Sequence, residues 1–375
     1  MLPALKTGRL SLADVFPSCL AAIRGEENSL GLPPVRTAIV LLADGLGTAA
    51  LKARAGHART LMASLLGSST TSIDSGFPTT TASALATLTT GVRPGQHGMV
   101  GYSVLDPATD RIVHQLSGWD ESIDPLTWQS MPTVFEQARD AGFRATAIGP
   151  ERYTDTPFTR AVLRGARYAP AASIPDRLAA AAALAAAAGA AHLVYVYVPE
   201  LDTAAHAHGA GSDEWTHALE TLDSAVRSLV LPKDAGLILT ADHGVVDIPQ
   251  RSHISYDAVP ELIAGIAHVG GEPRCLQLYF ARDADREATT LAWRDSEGDR
   301  SWVVTRDEAI AAGWFGEVRS DVLSRIGDLI VAARKGIAYY GSKDSPRSRQ
   351  MIGQHGSWSA AELQVPLLRF GDFAR

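Results

Sequence analysis

Three carboxylates, three imidazoles and a run of three hydroxyls stand at places in this sequence where apolar segments end or glycines allow a turn. The set comprises Asp44, Asp202, Asp242, His206, His243, His355, Thr79, Thr80 and Thr81. Mixed carboxylate and imidazole ligation suits zinc or manganese better than calcium or magnesium. A hydroxyl beside two such ions can act as a nucleophile, and two divalent cations suit the transfer of a phosphoryl or sulfuryl group.

The spacing of these residues predicts that several of them meet in space. Asp202 and His206 are four residues apart, so one helical turn places both side chains on the same face. Asp242 and His243 are adjacent, and a turn can direct both of them into one site. Asp44 follows an apolar run and precedes Gly45, which also fits an ordinary Asp-Gly turn after a strand.

Three apolar segments must deliver these residues. Residues 38–43 form a short, continuous apolar run, which is typical of a strand buried on both faces of a parallel sheet. Residues 192–198 and 237–240 are further predicted strands, and helices are predicted at 175–188 and 212–229. The alternation predicts an α/β fold with a mostly parallel central sheet flanked by helices. In such sheets, ligands bind outside the carboxyl ends of the strands.

One segment breaks this alternation. Residues 260–347 contain a predicted strand at 275–280 within a mixed pattern, and we interpret them as an α+β insertion or cap lobe. The core would then comprise residues 1–259 and 348–375, with a last strand at 365–370. We expect the pocket for the substrate's leaving group to lie in the lobe.

Composition limits the functional classes. The chain has 375 residues, with 46% hydrophobic and 20% charged residues, as is typical of a soluble globular protein. Its net charge of -7 argues against a nucleic-acid-binding face. Cys19 and Cys275 have neither disulfide-framework nor metal-type spacing. We find no signal peptide and no apolar run long enough to span a membrane. The expectation is a cytoplasmic protein that acts on a small molecule, without a stable nucleic-acid complex, and its oligomeric state stays open.

The order of the short motifs resembles that of the alkaline phosphatase superfamily, and within it the nucleotide pyrophosphatase/phosphodiesterase branch. The stretches that carry the resemblance are Ala43-Asp44-Gly45, Phe77-Pro78-Thr79-Thr80-Thr81 through Thr90-Gly91, Pro94-Gly95-Gln96-His97-Gly98, Asp202 to His206, Thr240 to Gly244, and Gln354-His355-Gly356. Each motif is common by itself, but their order is specific, and together they span residues 35–256 and 350–370.

The resemblance implies an alkaline phosphatase-like fold and two divalent metal ions, with zinc as the expected metal. Carried over position by position, one ion would be held by Asp202, His206 and His355, and the other by Asp44, Asp242, His243 and the hydroxyl of Thr81. The family's mechanism would form a covalent phosphothreonine intermediate, which water then hydrolyses.

The resemblance also selects the nucleophile. The Pro-x-x-Thr spacing, counted from Pro78, indicates Thr81, with Thr80 as the second choice and Thr79 as the third. Many members carry an asparagine three residues after the nucleophile, where this chain has Ala84. Another donor must therefore bind the phosphoryl oxygen, and backbone N–H groups at the start of the following helix can do so.

The activity implied by the resemblance is hydrolysis of phosphodiesters or nucleotide pyrophosphates. No arginine flanks the predicted nucleophile, which disfavours an alkaline phosphomonoesterase, and the sulfatase signature is absent. A phosphomonoesterase, a phosphonate hydrolase or a phosphomutase is the alternative chemistry on the same scaffold. A metal-binding pseudoenzyme is the alternative from another class, although the complete ligand set argues against it. His97 is expected to be structural, because loop histidines commonly bond to backbone.

Overall fold

The fold is described from a computed structural model that covers residues 2–4, 8–68 and 70–374. In that part of the chain the strands are β1 (Thr37–Ala43), β2 (Ser72–Asp74), β3 (Ser103–Asp106), β4 (Arg111–His114), β5 (Arg144–Gly149), β6 (Arg167–Pro170), β7 (His192–Val198), β8 (Ala235–Thr240), β9 (Val246–Asp247), β10 (His253–Ser255), β11 (Ile266–Glu272), β12 (Cys275–Phe280), β13 (Ser301–Thr305), β14 (Leu329–Ala333), β15 (Ala338–Tyr340), β16 (Gly353–Gln354), β17 (Gln364–Pro366) and β18 (Leu368–Gly371).

The helices of the same residues flank and connect these strands. They are α1 (Val15–Arg24), α2 (Thr48–Ala53), α3 (Arg59–Gly67), α4 (Thr81–Thr90), α5 (Pro94–His97), α6 (Pro125–Trp128), α7 (Val134–Asp140), α8 (Pro157–Val162), α9 (Ile174–Ala186), α10 (Glu200–His208), α11 (Asp213–Ser228), α12 (Pro260–Ile263), α13 (Arg286–Glu297), α14 (Arg306–Ala311), α15 (Pro346–Gln350) and α16 (Ala360–Leu363).

The central sheet has six strands in the order β18-β8-β1-β7-β5-β6. All of its neighbouring strands pair in parallel except β18, which joins the edge antiparallel to β8. Every residue of β1 is buried, as expected for the middle of a sheet covered by helices. The predicted α/β fold with a mostly parallel sheet is therefore confirmed.

The register of the sheet brings three strand ends to one edge. Ala43 of β1 pairs with Val198 of β7, and Leu42 pairs with Thr240 of β8. The residues that follow these strands consequently leave the sheet side by side, which is where an open α/β sheet binds its ligands.

The predicted last strand is divided into two. β17 pairs antiparallel with β2, whereas β18 pairs with β8, so residues 365–370 do not form the one strand that the sequence predicts. Pro366 ends β17, and proline has no N–H group to continue a ladder of hydrogen bonds. The chain changes partners at that point.

A second sheet lies within the segment predicted as a lobe. Strands β11, β12, β14 and β13 form it in that order, and all three pairings are antiparallel. Its strand β12 has the bounds that the sequence predicts. The sheet has an apolar cluster around Trp293, while Cys275 and Ile330 belong to the main core. The boundaries of the lobe at residues 260 and 347 stay a prediction.

Two smaller expectations concern the cysteines and membrane spans. Cys19 and Cys275 are both buried and unpaired. Among the described residues, no helix has both the length and the apolar character that crossing a membrane requires.

Candidate active site

The three carboxylates of the predicted set follow the strands that end side by side. Asp44 comes directly after β1, Asp242 comes two residues after β8, and Asp202 lies in α10, just after β7. Gly45 has a φ of +74°, and a Cβ there would lie 3.1 Å from the Cα atom of Asp202. A glycine at this position therefore allows the backbones that carry Asp44 and Asp202 to approach closely.

His243 lies at the centre of the site and is fully buried. Its Nε2 atom is 3.6 Å from Asp44 Oδ1, 3.5 Å from Asp242 Oδ2 and 3.2 Å from Thr81 Oγ1. The ligating atoms of Asp44, Asp242 and His243 all lie within 4.8 Å of one another. The structure thus brings together the predicted ligands of one ion and the predicted nucleophile.

The second predicted ligand set lies against the first. Ligating atoms of Asp202, His243 and His355 are also within 4.8 Å of one another, so His243 belongs to both groups. His206 lies outside that 4.8 Å group but next to it, with its Nε2 atom 3.2 Å from Asp202 Oδ2. Its ring centroid is 5.3 Å from that of His355.

All three histidines are oriented in the same way by backbone carbonyls. The contacts are His206 Nδ1 to Gly353 O at 2.7 Å, His355 Nδ1 to Thr79 O at 2.9 Å, and His243 Nδ1 to Gly244 O at 3.3 Å. Because a carbonyl oxygen can only accept, each Nδ1 carries a proton, and Nε2 is the nitrogen that can bind a metal ion. Metal-ligating histidines in proteins are held in this manner.

The carboxylates leave buried oxygen atoms for a cation. Among the described residues, Asp44 Oδ1, Asp202 Oδ1 and Asp242 Oδ2 are buried without a hydrogen-bond donor. Burial raises the pKa of Asp44 well above its usual range, and the negative charges of Asp242 and Asp202 raise it further. Unpaired buried carboxylates are costly, and a divalent cation among them removes that cost. The residues of the site therefore fit divalent metal ions.

The three threonines have different surroundings. Thr81 is the first residue of α4, and its hydroxyl contacts His243, as described above. Thr79 donates its hydroxyl hydrogen to Ser357 O at 2.8 Å and accepts from the N–H group of Gly356 at 3.0 Å, so its hydroxyl is already engaged. Thr80 is the residue before the helix, and its hydroxyl lies beside Glu272.

A cavity of about 390 Å³ opens beside Thr81. Aliphatic and aromatic side chains form much of its wall, among them Leu85, Leu116, Tyr153, Phe158, Tyr195 and Tyr197. Its described lining residues lie between 81 and 197, and none of them belongs to residues 260–347. The cavity next to the predicted nucleophile thus lies outside residues 260–347, the segment in which we expected the leaving-group pocket.

Two tyrosines of β7 are functional candidates that the sequence analysis missed. Tyr197 donates a short hydrogen bond to Asp44 Oδ2, which leaves Oδ1 of that carboxylate for the site. Tyr195 is buried and lines the cavity, yet its hydroxyl has no partner among the described residues. Both point to the same face of the strand because they are two residues apart, which the sequence alone could have indicated.

His97 and Ala84 take structural positions. His97 Nδ1 accepts from the N–H group of Met99 at 3.1 Å, and Nε2 contacts Thr87 Oγ1 at 3.0 Å. Because Nδ1 accepts, the proton is on Nε2, which donates to Thr87. Burial lowers the pKa of His97 to about 3. Ala84 is buried inside α4, and its N–H group donates to Thr80 O, so it offers no donor to a ligand.

The sequence belongs to a known family of phosphoester hydrolases. The profile of the type I phosphodiesterase / nucleotide pyrophosphatase family matches residues 38–358, and the chain is a member of this family. This confirms the family that the motif order predicts, and it confirms that the chain is a phosphoester hydrolase. The family is metal-dependent, in agreement with the two ligand groups of the site.

Solved structures of known proteins share the fold. Murine ectonucleotide pyrophosphatase / phosphodiesterase 5 superposes with a TM-score of 0.68 at 17% identity, covering 89% of this chain and 88% of its own. Phosphonoacetate hydrolase from Sinorhizobium meliloti 1021, in complex with phosphonoacetate, gives a TM-score of 0.68 at 17% identity, covering 90% of this chain and 91% of its own. At this identity the likeness establishes the fold.

Proposed function

We propose that this protein hydrolyses phosphodiesters or nucleotide pyrophosphates with two divalent metal ions, expected to be zinc, through a covalent intermediate on Thr81. The observation that carries the proposal is the common orientation of three histidines, each with Nδ1 on a backbone carbonyl, which leaves Nε2 as the nitrogen for a metal. Imidazole nitrogens and unpaired carboxylate oxygens converge beside one hydroxyl. Together they provide both the ligands and the nucleophile.

The ligands divide into two groups. Asp44, Asp242 and His243 would hold one ion, together with the Thr81 hydroxyl, and Asp202, His206 and His355 would hold the other, as the family pattern implies. Two bound cations supply Lewis acidity at the oxygen that attacks and at the oxygen that leaves.

The residues of the chain perform the remaining tasks. Thr81 Oγ1 loses its proton and forms a bond to phosphorus while the bond from phosphorus to the leaving oxygen breaks. The leaving oxygen takes up a proton, so the leaving group departs as an alcohol or a phosphate. Water then cleaves the bond between Thr81 and phosphorus: its oxygen stays on the released phosphate product, and one of its protons restores the Thr81 hydroxyl. Because Thr81 begins α4, the N–H groups of the first turn have no acceptor within the helix and can bind phosphoryl oxygens.

The cavity beside Thr81 would receive one ester substituent of the substrate. Tyr195 offers a buried hydroxyl with no partner among the described residues, and we assign it as a hydrogen-bond donor to that substituent. The mainly apolar and aromatic wall suits a flat group with little charge. A small molecule is thus the expected substrate, and a cytoplasmic location stays a prediction.

Two solved relatives support the assignment. A structure of murine ectonucleotide pyrophosphatase / phosphodiesterase 5 in complex with AMP is described as inactive and carries a threonine-to-alanine change. An essential threonine in a protein of the same fold agrees with our choice of Thr81. The complex of phosphonoacetate hydrolase with phosphonoacetate makes phosphonate hydrolysis the second candidate activity. A cavity of about 390 Å³ favours a larger substituent than a carboxymethyl group.

Turnover of bis-p-nitrophenyl phosphate tests the proposal, with bound metal counted in every sample. Thr81→Ala should abolish turnover and keep the metal, whereas Thr80→Ala, the matched change one residue earlier, should stay active. Thr81→Ser should recover part of the activity, because it restores a hydroxyl. An active Thr81→Ala enzyme would exclude Thr81 as the nucleophile. A metal-loaded wild type that cleaves phosphonoacetate but no diester would establish the second candidate instead.

A further inference from the structure

A buried carboxyl group from the lobe reaches one of the candidate metal ligands. Glu272 is the last residue of β11, and its Oε2 atom lies 3.3 Å from Nδ1 of His355. The Glu272 side chain is 5% exposed and that of His355 is 10% exposed, so little water competes for this contact. The sequence gives no sign of the contact, because Glu272 lies in a segment that is remote from every motif.

Two oxygen atoms lie beside the same nitrogen of His355. Thr79 O accepts a hydrogen bond from Nδ1 at 2.9 Å, and the carboxyl oxygen Oε2 of Glu272 lies 3.3 Å from Nδ1. Because Nδ1 carries the ring proton, Nε2 is unprotonated and can bind a metal ion. Outer acceptors of this kind fix both the tautomer and the orientation of a ligating imidazole.

The hairpin that carries Glu272 is fixed to the loop that carries His355. Arg274, two residues later, forms a buried bidentate ion pair with Glu362, at 2.7 Å and 2.8 Å. Glu362 in turn accepts from the N–H group of Ser357 at 3.0 Å. These bonds tie the tip of the β11–β12 hairpin to the residues that follow His355, so the position of Glu272 is fixed by buried polar contacts.

Gly356 makes room for the contact. It has a φ of +127°, and a Cβ at this residue would lie 2.6 Å from the Cγ and Cδ atoms of Glu272. Any larger residue next to His355 would therefore displace the carboxyl group. The loop is shaped to admit Glu272.

We propose that Glu272 is a positioning residue that holds the His355 imidazole with Nε2 directed at the metal site. The proposal rests on the proposed function only in assuming that His355 binds a divalent ion. Burial raises the pKa of Glu272 well above its usual range, and the nearby Glu362 raises it further. The role needs only an acceptor oxygen, which the ionised and the protonated carboxyl group both have.

The test compares two side chains of similar length. Glu272→Met removes the acceptor and Glu272→Gln keeps one, while both preserve most of the volume. Zinc affinity is measured by competition with a chelator, without any substrate, and the absorption spectrum of the cobalt-loaded protein reports the ligand geometry. Glu272→Met should weaken one of the two ions about 10- to 100-fold and shift the cobalt bands, and Glu272→Gln should retain most of the affinity.

The control variant changes a buried carboxylate that lies away from His355. Glu297→Gln neutralises another buried carboxylate of the lobe, which bonds to Arg300 and Tyr339, and should leave both metal affinities unchanged. Wild-type affinity in Glu272→Met, or equal losses in Glu272→Met and Glu272→Gln, would overturn the proposal. Should Glu272→Met not fold, Glu272→Ala provides the same comparison.

The outcomes for Glu272 and for the proposed function are separable. Since binding is measured without substrate, a protein that binds two ions but cleaves no phosphodiester would disprove the proposed function and leave the role of Glu272 standing. A wild-type protein that binds no ion through His355 would overturn the role of Glu272 itself.

Discussion

The two halves of the candidate metal centre differ in how the chain holds them. The strand-end group consists of Asp44, Asp242 and His243, and the helix–loop group consists of Asp202, His206 and His355. Side chains of the strand-end group are between 0% and 4% exposed. Those of the helix–loop group are 15%, 21% and 10% exposed, in the order given.

The segments that carry the two groups explain the difference in side-chain exposure. Asp44 and Asp242 leave neighbouring parallel strands whose register is fixed by hydrogen bonds along their length. Asp202 and His206 share one helix, whereas His355 comes from a loop that Thr79 and Glu272 hold by contacts between distant segments. One half of the centre is therefore positioned by the sheet, and the other half is positioned by tertiary packing. We expect the helix–loop half to bind its ion more weakly and to exchange it faster.

Removing the histidine that both 4.8 Å groups contain should have the largest effect. His243→Ala removes a ligand of the strand-end ion at a position beside the ligands of the other ion, so we expect loss of the strand-end ion, weaker binding of the other ion, and a fall in kcat of about 1,000-fold or more, or ~4 kcal/mol. Metal content and turnover are measured together. His208→Ala, which removes a half-exposed histidine near Glu214, is the control and should match the wild type. A His243→Ala protein that keeps both ions with unchanged affinity would disprove the role of His243 as a metal ligand.

Stepwise removal of metal should separate the two groups. Titration of the loaded protein with a chelator is expected to show two phases, with the helix–loop ion leaving first because its ligands are more exposed. His206→Ala should lower the affinity only for the ion that leaves in the first phase, by about 10- to 100-fold. Asp242→Asn should lower the affinity for the ion that leaves in the second phase. The comparison of the two groups fails if these two variants affect the opposite phases.

The tyrosine pair of β7 offers a smaller and more selective test. Tyr197→Phe removes the donor to Asp44 and should lower metal affinity at the strand-end group by about tenfold. Tyr195→Phe removes a hydroxyl that has no partner in the described structure, so metal affinity should stay unchanged while kcat/KM falls by about tenfold, or ~1.4 kcal/mol. Equal effects of both variants on metal affinity would show that Tyr195 faces the metal centre and not the substrate.

Acid should destabilise the fold through a histidine that lies outside both groups. Burial lowers the pKa of His97 to about 3 in the folded protein, below its ordinary value of 6.5. The unfolded chain therefore binds more protons between these two values, so the free energy of unfolding falls as the pH is lowered through this range. At pH 5 the contribution of His97 is a loss of about 2 kcal/mol relative to pH 7.

The measurement for His97 uses denaturant unfolding of metal-free protein at both pH values. His97→Gln is the comparison variant, because an amide can bond to Thr87 without titrating. We expect a smaller loss of stability on acidification in the variant than in the wild type. An identical loss in both proteins would assign the acid sensitivity to other groups. Because the protein is free of metal, the measurement reports acid unfolding separately from acid release of the metal ions.

Much of the site could be predicted from the sequence because its chemistry lies in short local patterns. Asp44 after an apolar strand, the adjacent Asp242 and His243, and the four-residue spacing of Asp202 and His206 are all visible without a fold. The motif order and the Pro-x-x-Thr spacing then single out Thr81 by resemblance. The structure brings these residues together, and their individual roles remain our proposal.

Other parts of the site could not be predicted because they depend on contacts between remote segments. Glu272 meets His355 only after the β11–β12 hairpin packs against the loop that carries His355, and no local pattern around Glu272 indicates this. His243 belongs to both groups because ligand atoms of each group lie within 4.8 Å of it, and the spacing of residues along the sequence does not predict such distances. The last strand was wrongly predicted as one element, since its apolar pattern is continuous and the change of partner at Pro366 is set by the tertiary structure.

The late position of His355 in the chain has a consequence for biosynthesis. A ribosome synthesises the chain from the N-terminus to the C-terminus. A nascent chain that extends beyond His243 therefore already contains Thr81 and the whole strand-end group. The helix–loop group still lacks His355, and the edge strand β18 follows only after it. We therefore expect a nascent chain to acquire one ion before it can hold two. Hydrolytic activity would then arise only after His355 has been added to the chain.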